Sequence, residues 1–190
     1  MPEAIYPSAL LVMDIQPPMV NSMTDPGSFV DKLNMAISHA RSKSIPVLFV
    51  VVGFRPGYPE VSPLNQSFSR LKSAASYPLD EPGNTTVYPG INREEGDMLI
   101  IKRRVSAFAG SDLETVLRAR GIRELTVAGI STSGVVLSTL REAADKDYRL
   151  TVLEDGCFDR DPEIHRVLTE KVFPRQATVL SVAQWIASGV

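Results

Sequence analysis

Three stretches of this 190-residue chain carry groups that could do chemistry. Asp14 ends a continuous apolar run, Ala9 to Met13, with Gln16 two residues further on. Lys102 ends a second run, Asp97 to Ile101, and Arg103 and Arg104 follow it. The third stretch, Gly129-Ile-Ser-Thr-Ser-Gly-Val-Val136, offers the hydroxyls of Ser131, Thr132 and Ser133 between two glycines, but no cysteine, histidine or carboxylate. A carboxyl group at the end of a buried strand can be kept protonated by desolvation and then serve as an acid, whereas a nearby ammonium acts the other way. A short turn of small residues between a strand and a helix is a place where α/β proteins expose a nucleophile or a ring of backbone donors.

The elements that must position these groups follow from the apolar pattern. Runs apolar on both faces belong to strands covered by helices on both sides, as in parallel sheets. Such runs occur at Ala9–Met13, Pro46–Phe54, Asp97–Ile101, Glu124–Ile130, Tyr148–Leu153 and Ala177–Val182. Helical periodicity lies between them. Asp25 and Pro26 read as the cap and first position of a helix to residue 42, with Phe29, Val30, Leu33, Ile37 and Ala40 as its apolar stripe. Ser111 reads as the cap of a helix through Arg120 that Gly121 terminates. A helix follows the 129–136 turn to Asp147. Asp161 and Pro162 start another, with Ile164, Val167, Leu168 and Val172 on one face, and Val182, Trp185 and Ile186 close the chain on a short one.

Strands alternating with helices predict a three-layer α/β/α sandwich with a mostly parallel sheet, in one domain spanning 1–190. Residues 55–96 interrupt the pattern with a proline-rich excursion whose only helical signal is Leu64–Ser76. Excursions of this length in compact domains usually form lids or oligomer contacts. In such sheets the site lies outside the carboxyl ends of the strands. That edge collects Asp14 and Gln16, then Phe54 and Arg55, then Lys102, the 129–136 turn, and finally Asp155, Cys157 and Asp159. Arg55 could hold a carboxylate there, with Tyr58 beside it, and Phe108 could form a wall.

Composition narrows the function. A net charge of −2 gives no footprint for nucleic acid. No apolar run is long enough for a membrane span, and a soluble cytoplasmic protein is the default expectation. The single cysteine excludes an intrachain disulfide framework, and no Cys/His set has zinc spacing. No glycine-rich phosphate-binding fingerprint follows any strand, so no nucleotide or other cofactor is expected.

Four segments together resemble the isochorismatase-like hydrolases, also called the cysteine hydrolase family. They are Leu-Val-Met-Asp14-Ile-Gln16, Lys102-Arg-Arg-Val-Ser-Ala-Phe108 with Ser111-Asp112-Leu113, Val127-Ala-Gly-Ile-Ser-Thr-Ser-Gly134, and Tyr148-Arg-Leu-Thr-Val-Leu-Glu-Asp155. The match runs from about residue 8 to about residue 182. The resemblance implies a Rossmann-like sheet of six parallel strands in the order 3-2-1-4-5-6, which would set Asp14 beside the 129–136 turn. It also implies catalytic roles for Asp14 and Lys102, a small-molecule substrate, and assembly as a homodimer or homotetramer.

The chain departs from the family pattern at the nucleophile. The cysteine of related amidases falls two residues after Ser133, where this chain has Val135, flanked by Gly134 and Val136. A valine forms no covalent intermediate. The Asp and His metal ligands of nicotinamidases are missing from Phe54-Arg-Pro-Gly-Tyr-Pro59. Isochorismatases within the superfamily do without that cysteine: an aspartic acid protonates an enol-ether carbon and water adds. The expectation is therefore a metal-independent hydrolase of a small anionic molecule. Asp14 would be the general acid and Lys102 its partner, with Gln16, Arg55, Tyr58, Phe108, Ser131, Thr132, Ser133 and Val135 as candidate substrate contacts and the backbone amides of 131–135 facing the reacting group. A catalytically silent binding protein is the alternative. Another is an amidase using a displaced nucleophile, Ser133 or Cys157. Lys102 raises a geometric question, because the third strand would lie two strands, about 10 Å, from the first.

Overall fold

The computed structural model of the chain describes residues 7–73, 78–81 and 85–189. Six strands form one parallel sheet: β1 (Ser8–Met13), β2 (Val47–Val52), β3 (Met98–Lys102), β4 (Glu124–Ile130), β5 (Arg149–Phe158) and β6 (Thr178–Leu180). Their spatial order is β3-β2-β1-β4-β5-β6, so the connections diverge on either side of β1 and β4. Strand order reverses there, and the crevice beyond the carboxyl ends of β1 and β4 is where such sheets bind ligands.

Alternation along β1 divides the core between two layers. Ala9, Leu11 and Met13 pack with Leu113 and Leu117 of α4 (Leu113–Ala119) and Leu140 and Ala143 of α5 (Leu137–Asp145). Leu10 and Val12 face the opposite way, against Val20 of α1 (Pro17–Val20), Phe29, Leu33 and Ile37 of α2 (Pro26–Ser42) and Trp185 of α7 (Val182–Ala187). A third, smaller cluster (Val52, Phe54, Tyr58, Phe68 and Leu79) ties the excursion to the end of β2, with Phe68 on α3 (Gln66–Ser73).

Several local expectations shift. Ser111 stands one residue before the cap of α4, which is Asp112, and its hydroxyl instead accepts from Leu113 N–H and donates to the Ala107 carbonyl. β6 is only three residues long because Ser181 caps α7 in a reciprocal box with Gln184, pulling Val182 into the helix. On α6 (Pro162–Val167), Ile164 and Val167 are exposed; of the expected stripe only Leu168 is buried. β5 runs five residues past its expected end, to Phe158, with an irregularity opposite Val127 and Gly129. The expected helix at 64–76 is helical from Gln66 to Ser73, and residues 74–76 lie outside the described part of the chain. No helix among the described residues is long and apolar enough to cross a membrane.

Candidate active site

Asp14 is the first residue beyond β1 and has a positive φ of 55°. An aspartate tolerates this left-handed conformation better than most residues, at modest cost. Its N–H still donates to the Val50 carbonyl, which continues the β1–β2 pairing by one step and fixes where the side chain leaves the sheet. Gln16 locks the same strand ends. Its amide oxygen accepts from Val52 N–H at 2.9 Å and its amide nitrogen donates to the Val52 carbonyl at 3.1 Å. Fully buried, Gln16 therefore works as a backbone clamp and is not among the cleft-lining residues.

Lys102 reaches Asp14 across β2. Met13 is level with Val50 and Lys102 with Val52, so the lysine lies two residues beyond Met13 along the sheet and can extend over the end of β2. Its ammonium lies 2.9 Å from Oδ2 of Asp14 and donates to the Arg104 carbonyl at 3.0 Å. The chain then folds back, placing Val105 on the cleft and Ala107 and Phe108 in the core, where the Ala107 N–H bonds to the Thr139 hydroxyl of α5. Both members of the pair are almost wholly buried. Burial pushes the Asp14 carboxyl above its ordinary value of 3.8, and the Lys102 ammonium opposes that rise without cancelling it. The second oxygen, Oδ1, is buried with no hydrogen-bond partner.

Gly129 ends the close approach of β4 to β1: a Cβ there would meet the Met13 carbonyl oxygen at 2.5 Å. The peptide bond between Ile130 and Ser131 is cis, and a π-helical turn, Thr132–Val136, leads into α5. This turn is stitched to the chain after β5. Asp159 accepts both the N–H (2.8 Å) and the hydroxyl (2.6 Å) of Ser133 through Oδ2. The Thr132 hydroxyl, fully buried, lies 2.9 Å from Nδ1 of His165 on α6. Gly134 N–H donates to the Ser131 carbonyl. The amides of Ser133 and Gly134 are thus engaged within the turn and its support, contrary to the expectation that amides 131–135 all face a reacting group.

A cleft of about 330 Å³ opens at this switch point. Asp14, Lys102, Ser131, Gly134 and Val135 form its floor, and Met19, Phe68, Leu71, Val105, Ile130 and Phe158 give it apolar walls. Four of the candidate site residues meet there, Asp14, Lys102, Ser131 and Val135, together with Asp159, which the sequence placed at the same edge. Others are engaged elsewhere. Arg55 lies in a separate depression with Arg103 and Arg104, bound to Glu60 at 2.6 Å, because that carboxylate is five residues away on the same loop. Tyr58 packs on Phe54 and its hydroxyl accepts from Leu79 N–H, bracing the excursion. Phe108 stacks in the core with Tyr148, ring centroids 5.9 Å apart. Cys157 is buried, its thiol pushed up to about 12 by desolvation. Sequence reasoning missed Phe68 and Leu71, which come to the cleft only because the excursion folds back, and Arg160, two residues past the end of β5. Among the described residues, no three His, Cys, Asp or Glu side chains gather closely enough to hold a metal ion.

Residues 8–184 match the isochorismatase domain family. The chain belongs to that family. It is 32% identical over 188 residues to an uncharacterized isochorismatase family protein, YecD, of Escherichia coli O157:H7, covering 93% of each chain. It is 29% identical to the ureidoacrylate amidohydrolase RutB of Pseudomonas syringae, covering 95% of this chain and 80% of that one. Among solved structures, an isochorismatase family protein from Burkholderia thailandensis superposes with a TM-score of 0.84 at 25% identity, covering 96% and 95% of the two chains. The six-stranded parallel sheet of this isochorismatase-family member, in the order 3-2-1-4-5-6 with flanking helices, is the fold of the family.

Proposed function

We propose that this protein hydrolyses a small anionic enol ether without a covalent intermediate, using Asp14 as general acid and base. The observation that carries this reading is the state of Asp14. One oxygen is held by Lys102, the other is buried and unpartnered, and burial raises the carboxyl's proton affinity. A proton on Oδ1 has no competing acceptor and can be given to substrate.

The chemistry runs in three steps. The Asp14 proton goes to the terminal carbon of the enol ether, whose π electrons form the new C–H bond and leave an oxocarbenium ion. Lys102 stabilises the Asp14 carboxylate so produced. Water then adds through oxygen to the cationic carbon and returns a proton to Asp14. The hemiketal collapses, its hydroxyl proton passing to the departing alkoxide, to give a ketone and an alcohol. The apolar walls limit competing water and strengthen the field of the Asp14–Lys102 pair. No step uses position 135, where Val135 offers no nucleophile.

An amide-cleaving reading draws on the likeness to ureidoacrylate amidohydrolases. It requires a displaced nucleophile, and the two named from the sequence are engaged or blocked: Ser133 donates to Asp159, and the Cys157 thiol stays protonated. The test is turnover of isochorismate, simpler enolpyruvyl ethers and ureidoacrylate by the wild type. Turnover of an enol ether but not the amide supports the proposal; turnover of the amide alone overturns it.

A further inference from the structure

The charges around the cleft are unevenly committed. Lys102 spends its ammonium on Asp14 and the Arg104 carbonyl. Arg160 also lines the cleft, is exposed, and forms no ion pair or hydrogen bond among the described residues. The acids around it are all occupied. Asp159 binds the N–H and hydroxyl of Ser133. Asp161 caps α6 through the N–H groups of Glu163 and Ile164. Glu163 is paired with Arg166. An arginine held beside three acids would ordinarily be neutralised by one of them, but here each acid serves the local backbone or another cation.

We infer that Arg160 is the substrate-carboxylate anchor of this cleft, a specificity-determining residue that selects a small molecule with an apolar body and a carboxylate. The inference rests on the hydrolase reading for its place in the reaction, but its binding chemistry stands separately. A guanidinium presents a planar fork that matches a carboxylate with two parallel hydrogen bonds. Phe68, Leu71, Val105 and Phe158 line the same cleft as Arg160 and the buried Asp14–Lys102 pair. A ligand anchored through its carboxylate at Arg160 would set its body against these apolar residues, in the cleft that also holds Asp14. This is the role that the sequence suggested for Arg55, which instead faces a different depression and is neutralised by Glu60.

The probes are benzoate and phenoxyacetate, each compared with its methyl ester, titrated into the full chain and followed by calorimetry and by the Nε–Hε resonance of Arg160. That resonance is assigned by its loss in Arg160→Lys. The carboxylates should bind on the order of tenfold more tightly than the esters and shift the Arg160 resonance. Arg160→Ala should erase the discrimination, and Arg160→Lys should restore part of it. Equal binding of acid and ester by the wild type, or undiminished discrimination in Arg160→Ala, overturns the assignment. Asp14→Asn separates the two claims: it should still discriminate acid from ester, whatever its catalytic activity, and loss of discrimination in a folded Asp14→Asn protein also counts against Arg160 as the anchor.

Discussion

The Lys102 ammonium lies 2.9 Å from the Asp14 carboxylate although their strands are separated by β2. The contact depends on register, because Lys102 stands level with Val52, two residues beyond the Met13–Val50 pair. It also tunes the pKa of Asp14, which burial raises and Lys102 lowers.

Replacing Lys102 with methionine removes the influence that lowers the Asp14 pKa and leaves desolvation unopposed. Activity carried by a protonated Asp14 falls as pH rises through that pKa. The alkaline limb of kcat/KM on an enol ether should therefore move to higher pH in Lys102→Met, alongside a lower maximal rate. A limb that stays in place or moves to lower pH contradicts the assignment of Asp14 as the acid.

The same shift has a stability consequence. A carboxyl whose folded pKa lies above its unfolded value is protonated in the native state over a range where the unfolded chain has lost its proton. Stability from this group is fully present below 3.8 and is lost as pH rises through the folded pKa. The uncharged amide introduced by Asp14→Asn mimics the protonated form at every pH. The stability of wild type relative to Asp14→Asn, measured by urea denaturation, should be greatest in acid and decline upward from there. A difference that grows with rising pH is the opposite of the expected outcome.

Much of this site was legible from residue order alone. Asp14, Lys102 and the 129–136 turn each end an apolar run, and parallel strands deliver their carboxyl ends to one edge. Side-chain partners were less legible, since they depend on loops with no periodicity. Arg55 was a reasonable anchor until Glu60, five residues on, folded against it. Gln16 looked like a polar contact, yet its amide matches the free N–H and carbonyl of Val52, a neighbour 36 residues away. Arg160 gave no signal because its significance lies in the commitments of Asp159, Asp161 and Glu163, which only geometry reveals.

The Gln16 clamp makes a direct prediction. Gln16→Ala leaves the N–H and carbonyl of Val52 without their side-chain partner in a buried setting, at a cost of about 1–3 kcal/mol. Chemical denaturation measures it. A loss below about 0.5 kcal/mol would mean that the paired bonds contribute no more than an ordinary surface contact.

Position 135 and Cys157 can be tested together. With its thiol pushed up to about 12 and buried, Cys157 should resist iodoacetamide in the native wild type. Val135→Cys puts a thiol on the cleft floor at a packing cost of less than about 1.5 kcal/mol, and that thiol should be alkylated. Cys157→Ala should leave turnover unchanged. Abolished turnover in a folded Cys157→Ala protein would point to a displaced thiol nucleophile.

The central claim is that Asp14 protonates an enol-ether carbon. Its most direct test is turnover of isochorismate in deuterated water by wild type and Asp14→Asn. Wild type should place one solvent deuterium in the methyl group of the pyruvate released, and Asp14→Asn should lower kcat/KM by about 10²–10⁴-fold while remaining folded. A folded Asp14→Asn enzyme that turns over isochorismate as fast as wild type, or wild-type product with no methyl deuterium, contradicts the account.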